Sequence, residues 1–113
     1  MGPGDETLQN ENIKPKILIV DDVLENIELI EAYLSAEPYD LITAGSGKEA
    51  IQKLKEEKLD MILLDVMMPE VSGYEVCKIV KNNPETQFIP VLMLTALSEI
   101  EDRIKGIEAG ADD

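Results

Sequence analysis

Four residues with reactive or ligating oxygens stand directly after apolar runs in this chain. Asp21 and Asp22 follow Ile17-Leu18-Ile19-Val20, Asp65 follows Met61-Ile62-Leu63-Leu64, and Thr95 follows Val91-Leu92-Met93-Leu94. Carboxylates brought close together repel one another unless a counter-charge sits among them. A hard divalent cation supplies that charge. Magnesium prefers about six oxygen ligands, keeps several waters and takes one or two carboxylates. A pocket of Asp22, Asp65, a backbone carbonyl and waters fits this preference. The chain has no histidine and a single cysteine, Cys77, far from these acids, which argues against zinc or copper. With charge offset in this way, a carboxylate oxygen of Asp65 can attack phosphorus and form an acyl phosphate. Thr95 offers a hydroxyl to the arriving phosphoryl group, and the small Ala96 beside it leaves the pocket open.

Each of these residues has a plainer explanation when taken alone. Asp22 suits a helix cap, Asp65 suits a loop aspartate, and Thr95 is an ordinary strand-end residue. What separates the readings is whether the elements bring them together. The apolar runs at 17–20, 61–64 and 91–94 are continuous, as in strands buried on both faces. Leu41-Ile42-Thr43-Ala44 is weaker and suits a sheet edge. Between them, Leu24, Ile27, Ile30 and Leu34 fall at helical spacing, as do Ala50, Ile51 and Leu54, then Val76, Cys77 and Val80, then Ile100, Ile104 and Ile107. Asp22 with Glu25, Ser46 with Glu49, Ser72 with Glu75 and Ser98 with Glu101 have the spacing of reciprocal capping boxes. Pro38 and Pro84 mark helix exits, and Gly110 suits a left-handed C-terminal cap. Strand and helix alternate four times, which predicts an open, doubly wound α/β fold with a parallel sheet and helices on both faces. Ligands in such sheets bind beyond the carboxyl ends of the strands, where strand order reverses. If the first and third strands are neighbours, the three acids meet there.

Composition bounds the alternatives. The 113 residues suit one domain, and 44% hydrophobic with 30% charged residues is a globular composition. Residues 1–15 are polar, with Gly2, Pro3, Gly4 and Pro15, and read as a flexible leader; 16–113 read as the domain. No apolar run approaches the ~20 residues of a membrane helix, and no secretory signal is visible, so the expected location is the cytoplasm, away from membranes. The net charge of −14 argues against direct contact with nucleic acid. Gly45-Ser46-Gly47-Lys48 has the look of a phosphate loop, but Ile42 stands where the motif needs an earlier glycine. A turn capped by Ser46 explains it better. Cys77, beside Val76 and Val80, reads as inert core packing.

The segments ILIVDD (17–22), LLDVMMPEVSGYEV (63–76), IPVLMLTA (89–96) and GIEAGADD (106–113) closely resemble bacterial response-regulator receiver domains. The resemblance implies a flavodoxin-like sheet in the order 2-1-3-4, and phosphoryl transfer from a histidine kinase or phosphotransfer protein. It implies Asp65 as phosphoacceptor, Asp22 as direct Mg2+ ligand, Asp21 as holder of metal-bound water, Met67 as donor of a backbone carbonyl to the metal, and Thr95 as switch hydroxyl. Ala96 and Leu97 would border the phosphoryl pocket, and Pro69 and Gly73 match the loop after the phosphoacceptor. Met67 and Leu97 would influence how fast the phosphoryl group is hydrolysed. Such a protein is a phosphoacceptor with at most slow self-dephosphorylation, not a turnover enzyme.

The family continues into a fifth strand, ending in a lysine before proline, and a fifth helix; this sequence ends at Asp113. The expectation is a receiver incomplete at its C-terminus, with the fourth strand at an edge. That edge would be covered by further chain or by a second copy in a homodimer. Two other function classes compete. A receiver-like protein-binding module would do without phosphorylation. An aspartyl phosphohydrolase would want a second acid two residues after its nucleophile, where this chain has Met67.

Overall fold

The computed structural model describes residues 14–94 together with residues 109 and 110. The elements run β1 Lys16–Val20, α1 Leu24–Leu34, β2 Asp40–Ala44, α2 Gly47–Glu56, β3 Met61–Asp65, α3 Gly73–Asn82 and β4 Val91–Leu94. The four strands are parallel and ordered β2-β1-β3-β4. This is the expected doubly wound arrangement. The weak apolar run became the edge strand β2, and β4 is outermost on the other side among the described residues. The expected helix carrying Ile100, Ile104 and Ile107, with its Ser98–Glu101 pair, lies outside the described residues.

Alternation along each strand divides the core into two layers. Leu18, Val20, Ile62 and Leu64 point to the face covered by α2 and α3, where Ala50, Val76, Cys77 and Val80 meet them. Ile17, Ile19 and Leu63 point to the other face, where Ile27 of α1 is buried and Ile30 and Leu34 pack beside it. Leu18, Ile19, Ile62 and Leu64 are fully enclosed, and each such side chain contributes roughly 1.5–3 kcal/mol relative to exposure. Cys77 is a core residue whose thiol reaches the Ala109 carbonyl at 3.4 Å. Gly110 has φ +96°, in the left-handed region that suits a glycine. Among the described residues, no helix is long and apolar enough to cross a membrane.

Two of the described pairs form the serine half of a capping box, and one pair does not form. Ser46 Oγ accepts from the Glu49 N–H at 3.1 Å, and Ser72 Oγ accepts from the Glu75 N–H at 3.3 Å. Glu49 reaches back one residue further than a capping box requires, to the Gly45 N–H at 2.8 Å. The Gly45–Lys48 stretch is therefore a capped turn into α2, not a phosphate loop. The expected Asp22–Glu25 pair is overturned: α1 starts one residue later, with Val23 at the cap and no side-chain cap bond. Asp21 instead accepts the Val23 N–H, in the turn before the helix. Leu24, expected on the buried stripe, is 67% exposed.

Candidate functional site

Register brings the acids together. β1 pairs with β2 on one side and β3 on the other, so strand order reverses at β1. Val20 stands opposite Leu64, and the next residue on each strand is Asp21 and Asp65. Both carboxylates therefore emerge at the same level of the sheet, at its carboxyl end. Asp22 follows in the turn before α1. Ligand oxygens of Asp21, Asp22 and Asp65 all lie within 4.8 Å of one another.

The three are held differently. Asp21 is buried, and its N–H donates to the Ala44 carbonyl at 3.1 Å, tying the turn to β2. Its Oδ1 accepts from the Val23 N–H at 2.9 Å, and its Oδ2 accepts from Asn26 Nδ2 at 3.1 Å. Both oxygens are thus engaged, while a carboxylate still has lone pairs to spare for water. Asp22 is exposed and Asp65 half-buried. Asn26 was not anticipated as part of this site; nothing in its spacing from Asp21 announces it, because the contact depends on the turn at residues 21–23.

The Asp65 carboxyl is pushed up to about 6 from its ordinary 3.8. Burial is the largest cause, since a half-enclosed carboxylate loses hydration. The charge of Asp21 comes next, and that of Asp22 adds to it. The backbone N–H groups of Met67 and Val66 oppose the rise by donating to the carboxylate. The backbone of Asp65 is pinned from below. The Gly73 N–H donates to the Val66 carbonyl at 3.0 Å, and a Cβ on Gly73 would stand 2.0 Å from the Asp65 carbonyl oxygen. Only glycine permits α3 to start this close to β3, which explains Gly73 at the end of the loop.

Met67 follows Asp65 by two residues, and its side chain lies open to solvent at 64% exposure. Met68, by contrast, is part of the core. Of this pair, Met67 alone remains at the surface of the loop. Thr95, Ala96 and Leu97 lie outside the described residues. The described part of the site is therefore Asp21, Asp22, Asp65 and the loop through Met67 and Pro69 to Gly73. The ligand atoms that Asp21, Asp22 and Asp65 bring together are all oxygens, and their charges are all negative. The three carboxylates fit a hard divalent cation such as Mg2+ better than zinc or copper.

A family model for the response regulator receiver domain matches residues 17–113. Response regulator PleD of Caulobacter vibrioides is 47% identical over 98 residues, covering 87% of this chain and 22% of PleD. The alkaline phosphatase synthesis transcriptional regulatory protein PhoP of Bacillus subtilis is 46% identical, covering 87% of this chain and 40% of PhoP. The chain thus spans well under half of these curated relatives. Among solved structures, the chemotaxis protein CheY4 of Vibrio cholerae superposes with a TM-score of 0.82 at 33% identity, covering 88% of this chain and 82% of CheY4. Sheet order, the acids at the switch point and these matches agree: the chain belongs to the response regulator receiver domains of two-component signalling.

Proposed function

We propose that this receiver accepts a phosphoryl group on Asp65 from a phosphohistidine of a histidine kinase or phosphotransfer protein, in the presence of Mg2+. The observation that supports this most is the convergence of Asp21, Asp22 and Asp65 within 4.8 Å. Such a cluster destabilises the fold unless its charge is offset, and a module used only for protein contacts would gain nothing from it. Asp22, Asp65 and the Met67 carbonyl would hold the ion directly, with Asp21 holding a bound water. When bound, Mg2+ offsets the charge of the carboxylates and of the transferred oxygens.

The rest of the chemistry falls to the chain. An ionised Asp65 oxygen attacks phosphorus; the new O–P bond forms as the N–P bond of the phosphohistidine breaks, and the imidazole leaves with that electron pair. Val66 and Met67 N–H groups hold the Asp65 carboxylate in orientation. The exposed Asp22 and Met67 leave the approach to Asp65 open to a partner's imidazole. Thr95 is proposed as the hydroxyl that meets the phosphoryl group, with Ala96 and Leu97 bordering it. The product is a signalling state with slow hydrolysis, not repeated turnover. A phosphorylated structure of the cyanobacterial phytochrome response regulator RcpA, 28% identical with a TM-score of 0.82, supports this reading.

The test is incubation with Mg2+ and acetyl phosphate, followed by intact mass and peptide mapping. Wild type gains one phosphoryl group on Asp65, and Asp65→Asn gains none, since an amide is a poor nucleophile for this step. Labelling that persists in Asp65→Asn, or maps elsewhere, overturns the assignment. Wild type that never labels under these conditions favours the protein-binding module.

A further inference from the structure

We infer that Gly47, in the first turn of α2, is a positioning residue for the metal-binding loop. It lets α2 seat against residues 66–72 closely enough to fix where Met67 stands. The inference rests on the Mg2+ reading above and adds a residue to it from a different element.

Gly47 is buried at a helix start that is otherwise open to solvent, with Gly45, Lys48 and Glu49 all exposed around it. A Cβ at Gly47 would lie 2.5 Å from the Val71 carbonyl oxygen, 2.7 Å from Val71 Cβ and 2.8 Å from Val71 Cγ1. Two of these three atoms are fixed by the Val71 backbone, so no side-chain rotation relieves the clash. Either α2 or the loop must move. The start of α2 is firmly tied. Ser46 caps it, Glu49 reaches back to the Gly45 N–H, the Ala50 N–H donates to the Ser46 carbonyl at 3.0 Å, and Ala50 is fully enclosed in the core.

The loop is the softer partner. Its far end is pinned where Gly73 meets Val66 and Asp65, but its middle contains Glu70 at φ +65°, a left-handed conformation that non-glycine residues adopt reluctantly. The Lys48–Glu70 approach at 3.8 Å joins two exposed side chains and adds little hold. The ends of the segment are tied together where the Gly73 N–H meets the Val66 carbonyl, and the Gly47–Val71 contact braces it two residues before Gly73. A methyl group at residue 47 would push Val71, and with it the residues leading back to Met67. The sign of the expected effect runs against helix propensity, because alanine is ordinarily the better residue in a helix.

Gly45 is an internal control. A Cβ there would meet only Glu49 Oε1, at 4.0 Å. The experiment compares wild type, Gly45→Ala and Gly47→Ala by two measurements: backbone amide shifts of metal-free protein, and Mg2+ titration. Gly47→Ala is expected to displace the amides of residues 66–72 and to weaken Mg2+ binding about tenfold, as loss of a supporting contact does at other metal sites. Gly45→Ala does neither. Val71→Ala, which removes only Cγ1 from this contact and so loosens it from the loop side, is expected to move the same amides and weaken Mg2+ binding less than Gly47→Ala, and serves if Gly47→Ala fails to fold. Loop amides that stay in place, or that move while Mg2+ affinity is unchanged, overturn the inference. A wild type that binds no Mg2+ overturns the metal reading and this inference with it. A wild type that binds, with Gly47→Ala binding equally well, overturns this inference alone.

Discussion

The two ends of the sheet carry the same kinds of residue in opposite electrostatic states. At the amino end, Lys16 donates to Glu57 at 3.0 Å, the Lys16 N–H donates to Asp60 Oδ2 at 2.7 Å, and the Asp60 N–H returns to the Lys16 carbonyl at 2.8 Å. One base stands among the acids there: the Lys16 amine pairs with Glu57 and is pushed above its usual range, chiefly through that hydrogen bond. At the carboxyl end, Asp21, Asp22 and Asp65 converge, and among the described residues no ion pair joins any of them to a lysine or arginine. Their cost appears in Asp65, whose carboxyl is pushed up to about 6. A cluster closed by its own lysine ties strands together. A cluster left open calls for a charge from outside.

The largest effect on this contrast should come from below the open cluster. Gly73→Ala places a methyl group 2.0 Å from the Asp65 carbonyl, and is expected to cost about 3 kcal/mol, the upper range for overpacking. Denaturant unfolding measures it; a loss under about 1 kcal/mol would mean that α3 shifts freely and does not pin Asp65.

A smaller effect, of opposite sign, is expected at the acid itself. Without divalent cations, Asp65→Asn should stabilise the fold at neutral pH, by about 1 kcal/mol once solvent screening of this half-exposed group is allowed for. The sign follows from linkage. The folded Asp65 titrates near 6 rather than 3.8, so between those values the folded state binds more protons than the unfolded state. Stability from this group therefore falls as pH rises through that window and is level above it. Asp65→Asn should lack this slope and match wild type near pH 4. Melting curves at several pH values decide it, and a destabilised Asp65→Asn at neutral pH would show that the cluster is not strained.

The smallest effect is expected at the closed end. Glu57→Gln breaks an ion pair whose side chains are both about a third exposed, and should change stability by no more than about 0.5 kcal/mol. A loss of several kcal/mol would mean that the two ends are more alike than their geometry indicates.

Much of this contrast was legible in the sequence, and the reasons differ by residue. The buried strands announced themselves as continuous apolar runs, and the start of β3 at Met61 and its acid at Asp65 could be read from the chain alone. Val76, Cys77 and Val80 were legible as a helical stripe because all three face one core layer. The start of α1 was not, since Asp21 and Asp22 are chemically identical, and only the turn geometry decides which one takes the Val23 N–H. The close approaches of Gly47 to Val71 and of Gly73 to Asp65 join elements distant in sequence, and a glycine alone does not tell what it makes room for. The raised Asp65 carboxyl was foreshadowed by the neighbouring acids, but burial, its largest cause, belongs to the folded state.

The open cluster is expected to take up a divalent cation and the closed one is not. The direct measurement is Mg2+ titration followed by backbone amide shifts, at pH 7 and at pH 5. Saturable shifts are expected at Asp21, Asp22, Asp65 and Met67, with none at Lys16, Glu57 and Asp60. Binding should be roughly tenfold weaker at pH 5, because a proton competes for Asp65 below about 6. Shifts of equal size at the Lys16 end, or no saturable binding at the three acids, would contradict the account.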